Sequence, residues 1–146
     1  MNQNLHDKLN EYLANQQIMY IKLHNLHWYV KGRSFFTLHV KLEELYDQTA
    51  KIIDDVAERL LALGGTPVAS VKKALSIASV KELEDTAISS DDTVKALISD
   101  VDYWIHDTKE IVKLAEEDDD GPTADLFTGY LGEYQKLLWM LNAYLG

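Results

Sequence analysis

The sequence contains no cysteine, only two prolines and few basic residues, and these shortages exclude several classes of protein. Without cysteine there can be no disulfide scaffold, cysteine-ligated zinc, iron–sulfur cluster or thiol nucleophile. No segment approaches the ~18 consecutive apolar residues of a transmembrane helix, and the first residues lack the basic and apolar regions of a signal peptide. We therefore expect a soluble, cytoplasmic protein that has no membrane partner.

Acidic residues are in excess, with 24 Asp+Glu against 14 Lys+Arg and a formal net charge of −10. Such a charge opposes binding to nucleic acid or an anionic membrane and favours cations, although solubility alone is the simpler interpretation. The length of 146 residues and the 47% hydrophobic content fit a single domain over residues 1–146 with a real core.

Apolar residues recur at steps of three and four in four long segments, which predicts four amphipathic helices. The first ends near Gly32, and the second ends at residues 64–67, which read Gly-Gly-Thr-Pro. The third begins after Ser89, and the fourth begins at Pro122. Residues 68–86 predict a crossover with a short helix, and no segment has a strand pattern. The sequence therefore predicts an all-α, ferritin-like four-helix bundle with one long crossover between the second and third helices.

Several polar residues lie on or beside the apolar stripes of the first two helices. His27 is on the stripe of the first helix, and His39, Glu43, Asp54 and Glu58 fall within an arc of about 100° on the second. The simpler interpretation is that the carboxylates form a solvated edge and that each histidine is hydrogen-bonded locally. The alternative is that these side chains bind a metal.

The spacing of these residues predicts two separate half-sites. His27 precedes the first turn and His39 follows it, so an antiparallel hairpin brings the two imidazoles together. Asp54 and Glu58 form an i, i+4 pair, but Asp54 lies about 22 Å along the helix from His39. No Glu-x-x-His pair, the usual source of a di-metal site within one bundle, occurs in the sequence. A complete metal site therefore requires a second chain, with the second helices of the two chains packed antiparallel about a two-fold axis.

Imidazole and carboxylate ligands without thiolate suit iron(II), manganese or zinc better than calcium or magnesium. A small number of protein ligands leaves positions open for water or an oxidant, and carboxylates stabilise a trivalent product, which favours iron oxidation. Trp28 is next to His27, where it could supply an electron or simply fill an interface.

The segments HNLHWYVKGRSFFTLH (24–39), EELY (43–46) and DDVAER (54–59) resemble the Dps family, the mini-ferritins. The resemblance extends over the whole chain. It implies a hollow shell of twelve subunits with a ferroxidase centre at each end of every two-fold interface. His27, His39 and Glu43 would come from one subunit, Asp54 and Glu58 from its partner, and Trp28 would lie beside the centre. Aspartate is common in the family at the position of Glu43.

The same resemblance implies a function. Family members oxidise iron(II), with hydrogen peroxide preferred to oxygen, and store iron(III) mineral, which protects the cell and its DNA from oxidative damage. One or two irons, as Fe(II) and Fe(III), would occupy each centre. The family also implies an acidic iron entrance at a three-fold axis, for which Asp118, Asp120 and Asp125 are the candidates. A solvated turn that caps the last helix is the simpler interpretation of Asp118 and Asp120.

Many Dps relatives bind DNA through a lysine-rich N-terminal extension, whereas the only basic residue among the first 20 here is Lys8. We therefore expect no direct binding to DNA. Three hypotheses remain: an iron-oxidising storage enzyme, a DNA-compacting nucleoid protein, and a helical assembly whose metal site is lost or takes another ion.

Overall fold

The computed structural model describes residues 1–146 and consists mainly of helix. The four long helices and the short crossover helix that the sequence predicts are all present. They are α1 (Gln3–Tyr29), α2 (Phe35–Ala62), α3 (Val71–Ile77), α4 (Ser90–Glu117) and α5 (Gly121–Leu145). None of the helices is long and apolar enough to cross a membrane.

Capping residues explain where most of the helices begin. Asn2 Oδ1 accepts hydrogen bonds from the amides of Asn4 and Leu5 at the start of α1. Ser70 and Ser89 cap α3 and α4 in the same way, each accepting from an amide three residues ahead. These side chains satisfy amides that have no partner within the helix.

The end of α2 is set by Gly64, which has a φ of 79°. The amide of Gly65 donates to the carbonyl of Leu60 over 2.8 Å, which closes the last turn. A left-handed residue at this position favours glycine, which pays no steric penalty there. The Gly-Gly-Thr-Pro stop predicted from the sequence is therefore formed by a specific backbone conformation.

The chain divides into two compact units, which are residues 9–93 and residues 1–8 with 94–146. In the first unit, buried residues of α1 and α2 such as Leu13, Leu26, Leu42 and Leu60 form the core. In the second unit, the core contains Leu5, Val94, Leu97, Ile111 and Phe127. The burial of these apolar side chains supplies the main stabilisation of each unit.

Two buried or half-buried asparagines fasten the crossover to α1 within the first unit. Asn10 donates to the carbonyl of Thr66 and accepts from the amide of Val68. Asn15 accepts from the amides of Ser79 and Val80. Side chains of α1 thus replace the hydrogen bonds that an irregular connection cannot make with itself.

Two very short strands accompany the helices. Val30–Lys31 (β1) pairs in parallel with Ile88–Ser89 (β2), and each strand is only two residues long. Alternation of polar and apolar residues needs at least four positions to be visible, so no sequence pattern could indicate these strands. The pair ties the end of α1 to the start of α4.

Candidate metal centre

The turn between α1 and α2 places His27 and His39 side by side. Gly32 in this turn has a φ of 115°, and a Cβ atom built on it would lie 2.9 Å from Ser90 Oγ. The same Ser90 hydroxyl donates to the carbonyl of Lys31 over 2.8 Å. Glycine is required on both grounds, because any side chain would clash and would strain the backbone. The chain then reverses, and α2 begins at Phe35.

The two imidazoles form a stacked pair with reciprocal hydrogen bonds. Their ring centroids are 3.6 Å apart and the planes differ by 12°. His27 Nδ1 lies 2.6 Å from the carbonyl oxygen of His39, and His39 Nδ1 lies 2.8 Å from the carbonyl oxygen of His27. Because a carbonyl oxygen only accepts, both Nδ1 atoms carry the proton. In the neutral rings, each Nε2 therefore has a free lone pair, which is the form that binds a metal.

Neighbouring rings hold this histidine pair in place. Phe35 stacks on the imidazole of His39, with centroids 4.9 Å apart. Tyr46 presents its ring edge-on to His27 at 5.3 Å. His27 is only 6% exposed, so its orientation is fixed before any metal arrives. This preorganisation is what a metal half-site needs.

Glu43 lies one turn after His39 on α2 and is exposed. Its Oε1 is 3.4 Å from the Tyr46 hydroxyl, which donates to it. Desolvation, followed by the negative charges of Glu43 and Asp47, raises the pKa of the Tyr46 hydroxyl above its ordinary value. The phenol therefore remains protonated and able to donate.

Asp54 and Glu58 are exposed on the same helix, but the structure does not bring them to the histidines. Fifteen residues of continuous α2 separate Asp54 from His39, about 22 Å of helix. No group of three or more His, Asp or Glu side chains in the chain is arranged to hold a metal ion. One chain therefore presents a histidine half-site and, separately, a pair of carboxylates.

Trp28 points outward and is 67% exposed. Its ring lies 5.3 Å from the imidazole of His24, which in turn stacks on Tyr46 at 3.9 Å. His24 and Tyr46 both lie within the segments that resemble the Dps family, but the sequence alone assigned neither residue to the centre. The i, i+3 spacings of His24 with His27 and of Glu43 with Tyr46 are signals that could have indicated them.

The acidic residues between α4 and α5 have different environments. Asp120 is 9% exposed and caps α5, accepting from the Thr123 amide over 3.1 Å and from the Thr123 hydroxyl over 2.6 Å. Asp118 accepts from the amide of Asn2 over 3.1 Å. Asp125, in the first turns of α5, is exposed. The carboxylate of Asp120 is thus engaged in local structure, as the simpler interpretation of this turn proposed.

Comparison with known proteins extends these observations. Residues 6–146 match the Ferritin family, described as a ferritin-like domain. General stress protein 20U of Bacillus subtilis is 45% identical over 146 residues, covering 100% of both chains. DNA protection during starvation protein 2 of Bacillus anthracis is 42% identical and covers 99% of both chains. The chain belongs to the Dps family.

A solved Dps structure agrees with this assignment across the whole fold. The DPS protein from Vibrio cholerae O1 superposes with a TM-score of 0.93 and 37% identity, covering 99% of this chain and 90% of that one. Its description places it in a broad superfamily of ferritin-like diiron-carboxylate proteins. The present Dps chain therefore has the ferritin-like fold that its helix pattern predicts.

Proposed function

We propose that this Dps chain is a ferroxidase and iron-storage protein of the cytoplasm. In this proposal, a single domain over residues 1–146 assembles into a hollow dodecamer, oxidises iron(II) at sites shared between subunits, and stores iron(III). The observation that carries the proposal is the stacked pair of His27 and His39. Both rings have Nδ1 committed to a carbonyl oxygen and Nε2 available, yet one chain supplies no group of three ligands. Such a half-site binds metal well only when a second chain completes it.

Symmetry supplies the missing ligands. A two-fold axis that sets two α2 helices antiparallel places Asp54 and Glu58 of one subunit opposite His27 and His39 of its partner, and it does so twice. Glu43 lies one turn after His39 on the same face of α2 and is the fifth proposed ligand. Exposure of the carboxylates in the single chain supports this arrangement, because a ligand shared across an interface must be accessible from outside the subunit.

The ligand set fits iron as a substrate. Two imidazoles and several carboxylates bind iron(II), and the carboxylates stabilise the more highly charged iron(III) product. Two iron(II) ions each lose one electron, and one hydrogen peroxide accepts both electrons and two protons to give two water molecules. Oxygen is the alternative oxidant. Oxidising two irons together avoids the one-electron reduction of peroxide to hydroxyl radical, and this is how the protein would protect the cell and its DNA. Trp28, close to His27 in sequence and exposed, is the candidate residue for donating an electron when only one iron is bound.

We further propose that iron enters through acidic openings at three-fold axes, lined by Asp118 and Asp125. Repeated around an axis, such carboxylates concentrate negative potential and attract cations. Asp120 contributes there by capping α5, which fixes the path of the chain beside the two other aspartates.

Iron oxidation can be tested directly. Iron(II) is added anaerobically to the assembled protein, peroxide follows, and the absorbance of iron(III) is recorded. We expect the variant H27A/H39A to lose the fast phase, whereas the matched control H6A/H106A, which removes two histidines outside the centre, retains it. A fast phase that survives in H27A/H39A would show that the proposed centre is wrong. Light scattering tests the assembly: a monomer at micromolar concentration would contradict shared sites.

A further inference from the structure

Tyr46 is held on three sides by the rings around the histidine half-site. It stacks on His24 with centroids 3.9 Å apart and planes at 20°. Its ring also meets His27 at 5.3 Å and 89°, and Tyr20 at 6.1 Å and 81°. Edge-to-face and stacked contacts of this kind fix the plane of an aromatic ring. The position of the Tyr46 hydroxyl is therefore set by its neighbours.

His24 is itself fixed, which makes it a stable platform. Its Nδ1 lies 2.8 Å from the carbonyl oxygen of Tyr20 and must donate to it, so the imidazole cannot flip without losing this bond. Tyr20 in turn meets the His24 ring edge-on at 4.7 Å. The hydrogen bond of His24 to the backbone of α1 fixes the imidazole, and the stacked imidazole in turn fixes the ring of Tyr46 on α2.

Glu43 is the mobile partner of Tyr46. It is exposed, it has three rotatable side-chain bonds, and its Oε1 lies 3.4 Å from the Tyr46 hydroxyl. This distance is long for an O–H···O bond, which is about 2.7–2.8 Å when well formed. Hydrogen bonds around a reaction site are often long before the substrate binds and shorten afterwards. A fixed hydroxyl donor reduces the number of rotamers open to the neighbouring carboxylate. The carboxylate then loses less conformational entropy when it binds a metal.

We propose that Tyr46 is a positioning residue that orients the carboxylate of Glu43 toward a metal ion bound by His27 and His39. This inference rests on the proposed function, since it concerns the same centre. Tyr46 Oη binds one carboxylate oxygen and leaves the other for the metal. The glutamate arm, longer than an aspartate by one methylene, reaches the hydroxyl of the residue three positions later on α2.

The test uses cobalt(II), added anaerobically to the assembled, metal-free protein without peroxide. Its visible absorption reports ligand geometry without any oxidation. We expect Y46F to weaken cobalt(II) binding about tenfold, the lower end of the effect of removing a hydrogen bond to a metal ligand, and to change the absorption band. In an E43A background, which removes the acceptor of the Tyr46 hydroxyl, Y46F should cause no further loss of cobalt(II) affinity. Tyr144→Phe, near the end of α5, is the matched control and should bind like the parent protein.

The outcomes separate this inference from the proposed function. If Y46F binds cobalt(II) with unchanged affinity and spectrum while H27A/H39A does not bind, the role of Tyr46 is wrong and the shared centre stands. If Y46F weakens binding equally in the E43A background, Tyr46 acts through its ring and the inference is also wrong. If H27A/H39A binds cobalt(II) with the parent spectrum, the centre itself is misassigned and both proposals are overturned.

Discussion

Asp120 caps α5 and also carries a negative charge, and two substitutions can show which of these properties stabilises the protein. In Asp120→Ala the Thr123 amide loses its acceptor, which costs ~1 kcal/mol for a typical helix cap. The buried Thr123 hydroxyl donates to Asp120 Oδ2 over 2.6 Å in the parent protein. Asp120→Ala removes this hydrogen bond as well, which costs about 1 kcal/mol more. We therefore expect Asp120→Ala to lower the free energy of unfolding by about 2 kcal/mol. For a chain of this size, that corresponds to a fall in Tm of roughly 4–8 °C.

Asp120→Asn isolates the charge. Asparagine caps a helix as well as aspartate does, and its amide can still hydrogen-bond the Thr123 hydroxyl. Only the attraction between a negative charge and the helix N-terminus disappears, which is worth ~0.5 kcal/mol. Asp120→Asn should therefore melt within about 2 °C of the parent protein. Asp125→Ala, an exposed change in the same helix, should also have little effect on the melting temperature.

The melting temperature and the rate of iron(II) oxidation can be measured on the same samples. Melting is followed by circular dichroism at one fixed protomer concentration, because assembly makes Tm depend on concentration. The rate of iron(II) oxidation in Asp120→Asn should equal that of the parent. A melting temperature as low as that of Asp120→Ala, or a several-fold slower oxidation rate, would show that Asp120 acts through its charge and not through the cap.

Three other predictions concern ion pairs and charge. Lys8 Nζ contacts Oδ1 of Asp107, whose side chain is 3% exposed, so Lys8→Met should lower the free energy of unfolding by about 3 kcal/mol, measured against the exposed control Lys113→Met. A hydrogen bond from Lys8 also lowers the pKa of Glu110 below its ordinary value of 4.5, so the folded state binds this proton less readily than the unfolded state. The resulting stabilisation is complete above about pH 4.5 and is lost as the pH falls through the lower folded-state pKa, so Glu110→Gln should reduce the acid dependence of Tm in that range. Finally, because each chain carries a net charge of −10, the assembled protein should not shift duplex DNA in a gel at moderate salt without divalent cations, and a clear shift would favour the nucleoid-compacting alternative.

The helices were predictable because their signals are local. Apolar residues at steps of three and four define each buried face, and Ser89, Pro122 and the glycines after α2 mark ends that the structure reproduces. Features that join distant parts of the chain gave no such signal. Asn10 binds Thr66 and Val68, and β1 meets β2 some sixty residues later, and neither pairing leaves a periodic pattern.

The candidate centre also has features that the sequence predicted and features that it did not. The separation of His27 and His39 by one turn indicated that the rings would meet, whereas their reciprocal bonds to each other's carbonyl groups depend on backbone geometry that no spacing encodes. His24 and Tyr46 were not assigned to the centre, because ring contacts between two helices leave no periodic pattern in the sequence. The role that we propose for Tyr46 rests on these contacts between α1 and α2.

The central claim is that each centre is completed by two subunits, and subunit mixing tests it most directly. H27A/H39A lacks one half-site and D54A/E58A lacks the other, so each variant alone should show no fast iron oxidation. When the two are unfolded together and reassembled in equal amounts, half of the dimers are mixed and one of the two sites in each is intact, so about a quarter of the parent activity should return. If every site lay within one chain, no mixture could contain an intact site, and the absence of recovered activity in well-formed mixed shells would contradict the account.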